Sequence, residues 1–251
     1  MTGKAGVEPL KAIMETRAGP AKRRVAHIAK VPADPSAVMI KDAERTRAEI
    51  LDVATQEFSR RGFRGGRINE IALKTRTSKR MIYYYFGSKE GLYQAVLFEH
   101  YRRLRGDERE LDFDAKPPIE ALTLLVHFTF DWYAAHAAEV PLVMVENIHQ
   151  GAHIKKLPTI EPLNSRAISL VQRIYERGVR EGVMRPGLRP IDIYISIASA
   201  SFFNISNPFT FAAIFGHDMA AKDEFELRRA AVTDMIIRYV AMNPDESVHR
   251  A

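Results

Sequence analysis

The stretch from Ile68 to Leu92 constrains the fold of this chain more than any other. It reads INEIALKTRTSKRMIYYYFGSKEGL and holds two short helical patterns separated by a tight polar turn, followed by the start of a third helix. Two short helices joined in this way are typical of the helix-turn-helix, whose second helix enters the major groove of DNA. The sequence therefore predicts that the chain binds duplex DNA.

The first helix of this unit is indicated by Ile68, Ile71 and Ala72, whose spacing of three and four residues places them on one face. Asn69 then falls on the solvent side. The polar run Thr75–Ser78 interrupts the helical period. We expect a turn at this point.

A second helix is expected to begin at Lys79, because the hydroxyl of Ser78 can accept a hydrogen bond from a free backbone N–H at a helix start. Ile82 and Phe86 lie four residues apart and are expected to face inward, and Gly87 ends the helix. The side chains left for the groove and the DNA backbone are Lys79, Arg80, Met81, Tyr83 and Tyr84.

Lysine and arginine near the start of such a helix can bind phosphate oxygens or the O6 and N7 atoms of guanine. Met81 suits a thymine methyl group, and a tyrosine brings a flat ring and a hydroxyl that can donate to a phosphate. The alternative is that the tyrosines are core residues. We favour this alternative for Tyr85, which lies beside the apolar stripe, and not for Tyr83 or Tyr84.

This part of the chain resembles the TetR family of bacterial transcriptional regulators over roughly residues 42–98. The resemblance rests on a helix with Ile50, Leu51, Ala54 and Phe58, on Gly62-Phe63, Ile71-Ala72 and Ser78, and on the pattern Tyr83-x-Tyr85-Phe86-x-Ser88-Lys89-x-x-Leu92. It implies that the exposed residues from Lys79 to Tyr84 lie on the recognition helix. It also implies that Lys89 binds a phosphate at the start of the fourth helix.

Two positions depart from the family pattern. Arg67 stands where the family has a threonine or serine that caps the second helix, so Arg67 can supply a charge contact instead of the usual cap and phosphate contact. Thr75-Arg76 replaces the usual Ala-Gly in the turn, and a non-glycine residue there is strained if its φ is positive. We expect a slightly different turn and the same fold.

The basic charge of the chain is concentrated in the same region. Residues 1–110 hold 23 Lys+Arg and 14 Asp+Glu, a net charge of +9, whereas residues 111–251 hold 14 and 17, a net charge of −3. This asymmetry favours a polyanion-binding surface over a solvated basic face without a partner. The full set of predicted DNA contacts is Arg47, Arg67, Asn69, Ser78, Lys79, Arg80, Met81, Tyr83, Tyr84 and Lys89.

The length of 251 residues and the hydrophobic content of 46% suit one small and one larger globular domain. Apolar stretches such as residues 122–130 are far shorter than the roughly 18 residues of a membrane span. The chain has no cysteine and no apolar secretory segment, so we expect a cytoplasmic protein without disulfides, cofactor or membrane partner. An enzyme is not expected, because GxSxG, a phosphate-binding glycine loop and a cysteine nucleophile are lacking.

Residues 1–40 are expected to form a disordered basic extension, because prolines at 9, 20, 32 and 35 interrupt any long helix. Its basic cluster is Lys22-Arg23-Arg24. One hypothesis is an arm that follows the DNA backbone or enters the minor groove. The other hypothesis, which we favour, is a tail with little effect.

The pattern changes after Pro117-Pro118. Apolar residues recur at helical spacing from Ile119 to Tyr133, and further helices are predicted near 139–150, 161–182, 189–206 and 223–241. We therefore predict an all-α protein with an N-terminal three-helix DNA-binding domain at 41–98. A larger C-terminal helical bundle at 99–245 is expected to bind a ligand and to dimerise.

Bundles of this size can enclose a pocket with apolar walls and a few polar groups. The residues suited to line it are Phe128, Trp132, Tyr133, Met144, Asn147, His149, Phe202, Phe203 and Asn204, although each aromatic residue alone is more typical of a core. Glu146, His149 and His153 stand at i, i+3 and i+7, where one helix face can present metal ligands. We favour a solvated or hydrogen-bonded surface over a metal site there.

The resemblance also implies a small-molecule effector and a homodimer joined by the last two helices of the regulatory domain. The stripe suited to this interface is Ile191, Ile195, Ala198, Phe202 and Ile205, and the alternative is burial within the monomer. Two recognition helices about 34 Å apart imply a near-palindromic operator. The predicted function is a ligand-responsive repressor; the competing interpretation is a helical ligand-binding or scaffold protein that does not use its DNA-binding module.

Overall fold

The computed structural model of the protein describes residues 35–243, with side chains described from residue 42 onward. This range contains ten α-helices: α1 (Pro35–Gly65), α2 (Ile68–Lys74), α3 (Lys79–Phe86), α4 (Lys89–Arg109), α5 (Pro118–Ala135), α6 (Val140–Ile148), α7 (Ile160–Arg180), α8 (Pro190–Ser206), α9 (Pro208–Phe215) and α10 (Lys222–Val240). Within these residues, the sole β pairing is an isolated bridge between Met184 and Ala241. The predicted all-α fold is confirmed.

Three of the long helices, α7, α8 and α10, end within two residues of their predicted bounds. The helix predicted at 139–150 is shorter, because a 3₁₀ turn at Ala137–Glu139 precedes α6 and the chain leaves the helix at His149. The sequence pattern does not predict α9. Its sequence PFTFAAIF is apolar at almost every position, so it carries no helical period.

The last residues of the predicted extension belong to a helix. α1 begins at Pro35, so residues 35–40 are helical. Proline suits the first turn of a helix, because its fixed φ is helical and its missing N–H has no intrahelical partner there. The remainder of the extension, including Lys22-Arg23-Arg24, lies outside the described residues.

The first core lies among α1, α2, α3 and the first half of α4. Its centre consists of fully buried side chains: Ile50, Ala54, Phe58, Ile71, Ile82, Leu92, Tyr93 and Val96. Gly62 breaks the regular geometry of α1 with a φ of 65° and a ψ of 179°. A side chain is strongly disfavoured in this conformation, so the kink at the end of α1 requires glycine.

A second core lies among α5, α7, α8 and α10, with buried residues that include Val126, Phe130, Val171 and Ile193. α4 runs on from the first core as one helix of 21 residues, so the predicted domain boundary at residues 98 and 99 falls inside a helix. Leu142 of α6 also packs into the first core. A continuous helix, without a flexible linker, therefore connects the two cores. No helix in the described range is long and apolar enough to cross a membrane.

Candidate nucleic-acid interface

Two serine caps and one buried side chain position α3. The Oγ atom of Ser78 accepts a hydrogen bond from the backbone N–H of Met81 at 3.2 Å. At the start of α4, the Oγ atom of Ser88 accepts one from Gly91 at 2.9 Å. Ile82 is fully buried in the first core. A short helix that is capped and anchored on one side presents its opposite side to solvent.

The solvent side of α3 is basic and aromatic. Its exposed side chains are those of Lys79, Arg80, Met81, Tyr83 and Tyr84, preceded by Ser78. The most exposed of these aromatic residues is Tyr84, at 77%. Large rings beside unpaired cations are typical of a nucleic-acid surface and unusual on a purely solvated one.

The last two residues of α3 face the first core. Tyr85 and Phe86 are half-buried and pack against this core, which agrees with the core interpretation of Tyr85. The guanidinium of Arg47, on α1, lies 5.3 Å from the centre of the Phe86 ring. This contact holds the exposed side chain of Arg47 beside the end of α3.

Within residues 42–243, the cations predicted to contact DNA carry no acidic partner. Arg67, Lys79 and Arg80 are exposed, and none of them forms an ion pair with another residue of the described range. Asn69, near the start of α2, is exposed as well. Their charge and hydrogen-bonding groups are therefore available to phosphates and base edges.

A buried acid of α1 caps α2 in place of the usual side chain. Arg67 occupies the N-cap position, and its side chain makes no capping hydrogen bond. Its backbone N–H donates to the Oε1 atom of Glu57 at 3.1 Å, and this carboxylate also lies 3.3 Å from the Nε atom of Arg61. Sequence reasoning missed this cap, because Glu57 sits on the preceding helix, ten residues away.

The turn between α2 and α3 holds a non-glycine residue in the left-handed conformation. Arg76 has a φ of 51°, and its N–H donates to the carbonyl of Leu73 at 3.3 Å. The N–H of Thr77 donates to the carbonyl of Ala72 at 3.0 Å. The two bonds form a Schellman motif, in which glycine is the usual residue. The turn therefore has the expected geometry without a glycine, and Arg76 carries the backbone strain of a positive φ.

Lys89 joins the end of α1 to the start of α4. Its Nζ atom donates to the carbonyl of Arg64 at 3.2 Å and lies 5.2 Å from the centre of the Phe63 ring. An ammonium group held in this way is half-buried and oriented.

The segment after α6 contacts the first core. Glu146 is buried, and its Oε1 atom accepts hydrogen bonds from the backbone N–H groups of His153 and Ile154 at 2.7 and 2.9 Å. Its Oε2 atom lies 3.1 Å from Nδ1 of His153. The ring of His153 packs against Phe63 and Tyr93, with ring centres 4.4 and 5.0 Å apart. This segment therefore contacts the same Phe63 ring that lies beside Lys89.

These contacts correct the idea of a metal-binding row. Glu146, His149 and His153 do not share a helix face, because α6 ends at Ile148. The carboxylate of Glu146 is occupied by hydrogen bonds, and the exposed His149 has its Nδ1 atom 2.8 Å from the carbonyl of Val145. The described residues contain no group of three side chains placed to hold a metal ion. The hydrogen-bonded interpretation holds for Glu146 and His153.

The nine residues predicted to line a pocket lie in different surroundings. Asn147 and His149 are exposed at the end of α6, which corrects their assignment to an enclosed pocket, since the short helix leaves them on the surface. Trp132 is buried and donates to Asp107 at 3.0 Å. Phe128 packs against the second core, and Met144 is half-buried.

Two smaller groups of the predicted pocket residues do come together. Tyr133 and Phe202 meet edge to face, with ring centres 5.4 Å apart. Phe203 and Asn204 line a cavity of about 220 Å³ between α8, α9 and α10. The sequence pattern therefore did not distinguish aromatic residues that pack against each other from aromatic residues that line a cavity.

The predicted dimer stripe on α8 is partly exposed. Ile191 and Ile195 are 40% and 54% exposed, whereas Ala198, Phe202 and Ile205 are half-buried. The residues of α8 that enter the core lie on another face: Ile193, Ile197, Ser201 and Asn204. The stripe is therefore not completely buried within the monomer.

Similarity to known proteins covers both parts of the chain. Residues 50–96 match the family described as "Bacterial regulatory proteins, tetR family", and residues 118–236 match "Tetracyclin repressor-like, C-terminal domain". The HTH-type transcriptional repressor NicS of Pseudomonas putida is 36% identical over 201 residues, which cover 80% of this chain and 95% of NicS. The chain belongs to the TetR family.

Other TetR-family relatives are more distant. The HTH-type transcriptional repressor SCO4008 of Streptomyces coelicolor is 28% identical over 64% of this chain and 80% of its own length. The solved structure of the putative transcriptional regulator SCO4942 of the same species has a TM-score of 0.58 at 26% identity, covering 78% of this chain and 98% of that one. The structure of KstR2 of Mycobacterium tuberculosis, at 18% identity, shows the same fold with a TM-score of 0.59 over 78% and 95% of the chains.

Membership of the TetR family decides between the two functional interpretations. The protein is a DNA-binding transcriptional regulator, and its curated relatives carry the names of transcriptional repressors. The alternative of a scaffold that does not use its DNA-binding module is not favoured.

Proposed function

We propose that this protein is a repressor that binds a near-palindromic operator as a homodimer and leaves it when a small-molecule effector binds. The observation that carries the proposal is the outer face of α3. Ile82 anchors the helix in the core, and the unpaired cations and the exposed Tyr84 stand on the opposite side. A helix presented in this way has the shape and charge to enter a major groove.

The predicted DNA contacts fall into two groups in this proposal. The side chains of α3 read the groove: Lys79, Arg80, Met81, Tyr83 and Tyr84. The flanking residues bind the phosphate backbone and set the register: Arg47, Arg67, Asn69, Ser78 and Lys89. This division follows the general rule that phosphate contacts position a protein and base contacts give specificity.

Dimerisation is proposed to use α8 together with α10. Ile191 and Ile195 on α8 and Leu227 and Met235 on α10 leave apolar surface exposed in the single chain. A second copy of the chain can cover this surface in an isologous contact. The two α3 helices are then related by a dyad, which is what a near-palindromic operator requires.

Effector control is proposed to act through the helices that join the two cores. An effector shifts the dimer between two geometries only by the difference in its affinity for them.

We assign no catalytic activity to the chain, since a regulator of this type works by binding alone. A cytoplasmic location is proposed with it, since a bacterial regulator of this family acts on operator DNA.

Selection of bound sequences from random duplex DNA by the purified protein tests this proposal. We expect enrichment of a near-palindrome. Its half-sites should be separated by about 10 base pairs, which is one helical turn, or by a multiple of that distance. Repeating the selection with extracted cell metabolites is expected to reduce the enrichment. A protein that enriches no sequence at low ionic strength would be incompatible with the proposal.

A further inference from the structure

A cavity separate from all residues predicted to bind an effector lies between the end of α4 and α7. Its volume is about 320 Å³, and its walls are formed by residues 105–114 and by one side of α7. This volume lies within the range of small-molecule sites.

Arginines dominate the charge of this cavity. Arg105, Arg109, Arg166 and Arg173 all line it. Arg109, Arg166 and Arg173 are exposed and have no ion-pair or hydrogen-bond partner for their side chains among the residues that the structure describes. Arg166 and Arg173 stand two helical turns apart on α7, so both lie on the same side of that helix. Unpaired cations on two helices around one cavity favour an anionic occupant.

The acids of the cavity offset only part of this positive charge. Glu108 pairs with the buried Arg105 at 2.6 Å. Asp112 accepts a hydrogen bond from the backbone N–H of Ala115 at 3.1 Å, and Asp114 is exposed. Four arginines against three acids leave the lining with a net charge of +1. The free guanidinium groups have the planar geometry that binds a carboxylate with two parallel hydrogen bonds.

The floor of the cavity is apolar and fixed. Phe113 and Leu170 are 5% and 7% exposed, and both line the cavity with Leu111. Arg177 fixes the loop that carries Phe113 by donating to three of its carbonyls, at 3.1, 2.8 and 2.6 Å. Buried apolar side chains together with exposed guanidinium groups around one cavity fit a molecule with an apolar body and an anionic head.

We propose that this cavity is the effector site of the protein and that its effector is an organic carboxylate. The effector role rests on the proposed function, whereas binding of the carboxylate does not. α4 is one helix from Lys89, beside α3, to Arg109 in the cavity, a distance of about 30 Å. A ligand that draws the end of α4 toward α7 therefore acts on the helix that supports the DNA-binding domain.

Calorimetric titration of the full chain without DNA tests the binding site. The probes are benzoate, its neutral analogue benzamide, and inorganic phosphate, which has charge and no apolar body. We expect benzoate to bind. Benzamide and phosphate should bind at least about tenfold more weakly, because benzamide lacks the negative charge and phosphate lacks the apolar body.

The variant Arg166→Gln/Arg173→Gln is expected to weaken benzoate binding by at least about tenfold, since charged hydrogen bonds are lost. Arg180→Gln is the matched control, because Arg180 is an exposed arginine of the same helix that does not line the cavity. Absence of benzoate binding, equal binding of benzamide or phosphate, or equal benzoate affinity of the double variant and the wild type would each overturn the site.

The effector role has its own readout. Saturating benzoate is expected to lower the affinity of the wild-type protein for its selected operator and to leave that of the double variant unchanged. Benzoate that binds without changing operator affinity would overturn the effector role alone. Failure of the protein to bind any DNA would instead count against the proposed function, and the calorimetric result would still stand.

Discussion

The ring of His153 packs on the ring of Phe63, with centres 4.4 Å apart, and so joins the regulatory part to the DNA-binding domain. The partner of His153 on one side is the buried Glu146, and the partner of Phe63 on the other is Lys89. Lys156 reinforces this junction through an ion pair with Glu90 at 2.6 Å. The two cores are thus connected by side-chain contacts in addition to α4.

Replacing Glu146 with glutamine is expected to remove a pH-dependent part of the stability. Burial raises the pKa of Glu146, but hydrogen bonds from Ile154 and His153 outweigh it and hold the pKa below its ordinary value of 4.5. Because folding lowers this pKa, the carboxylate contributes its full stabilisation at pH values above the pKa of the unfolded chain. This stabilisation is lost as the pH falls through the pKa of the folded protein.

Urea unfolding of both proteins at several pH values measures this effect. The free energy of unfolding should be about 1–3 kcal/mol higher for the wild type at pH 5.5, and the difference should shrink toward pH 3.5. A difference that stays constant over this range would show that the carboxylate charge is not involved.

Arg76→Gly is expected to stabilise the DNA-binding domain. Arg76 has a φ of 51°, which costs an ordinary residue more than glycine. Part of this gain is offset by the greater freedom of glycine in the unfolded chain, so we expect a net gain of about 0.5–1 kcal/mol in urea unfolding. Lys74→Gly, two residues earlier at the last residue of α2, should instead destabilise by up to about 1 kcal/mol. Destabilisation by both changes would mean that Arg76 makes a contact worth more than its strain.

Ile195→Glu is expected to separate the dimer. Ile195 is 54% exposed in the single chain, so the change leaves the monomer core intact and places a charge on the proposed interface. Sedimentation should show a monomer, and affinity for the two-half-site operator should fall by at least about tenfold because the second half-site is lost. Ile148→Glu is the control, since Ile148 is 74% exposed at the end of α6. Dimers of normal affinity with Ile195→Glu would place the interface elsewhere.

The features of the site that could be predicted from sequence are local. The caps by Ser78 and Ser88 and the inward position of Ile82 depend on residues at most four positions apart. The helical period and capping chemistry are enough to locate them.

Contacts between residues distant in sequence escaped prediction. The cap from Glu57 to Arg67, the packing of His153 on Phe63, and the hydrogen bond from Arg105 to Tyr194 at 2.8 Å depend on how helices meet. A single sequence carries no signal for these pairs. The metal-ligand row of Glu146, His149 and His153, which was the less favoured interpretation, does not form because α6 ends at Ile148.

We expect the outer face of α3 to bind DNA. Fluorescence anisotropy with the selected operator duplex at several salt concentrations measures this binding, using Lys79→Ala, Tyr84→Ala and the control Lys222→Ala, an exposed lysine at the start of α10. Tyr84→Ala should weaken binding by about tenfold or more, and Lys79→Ala should reduce the slope of log K against log salt by about one per subunit. The control should match the wild type; equal affinities and slopes for all four proteins would contradict the claim.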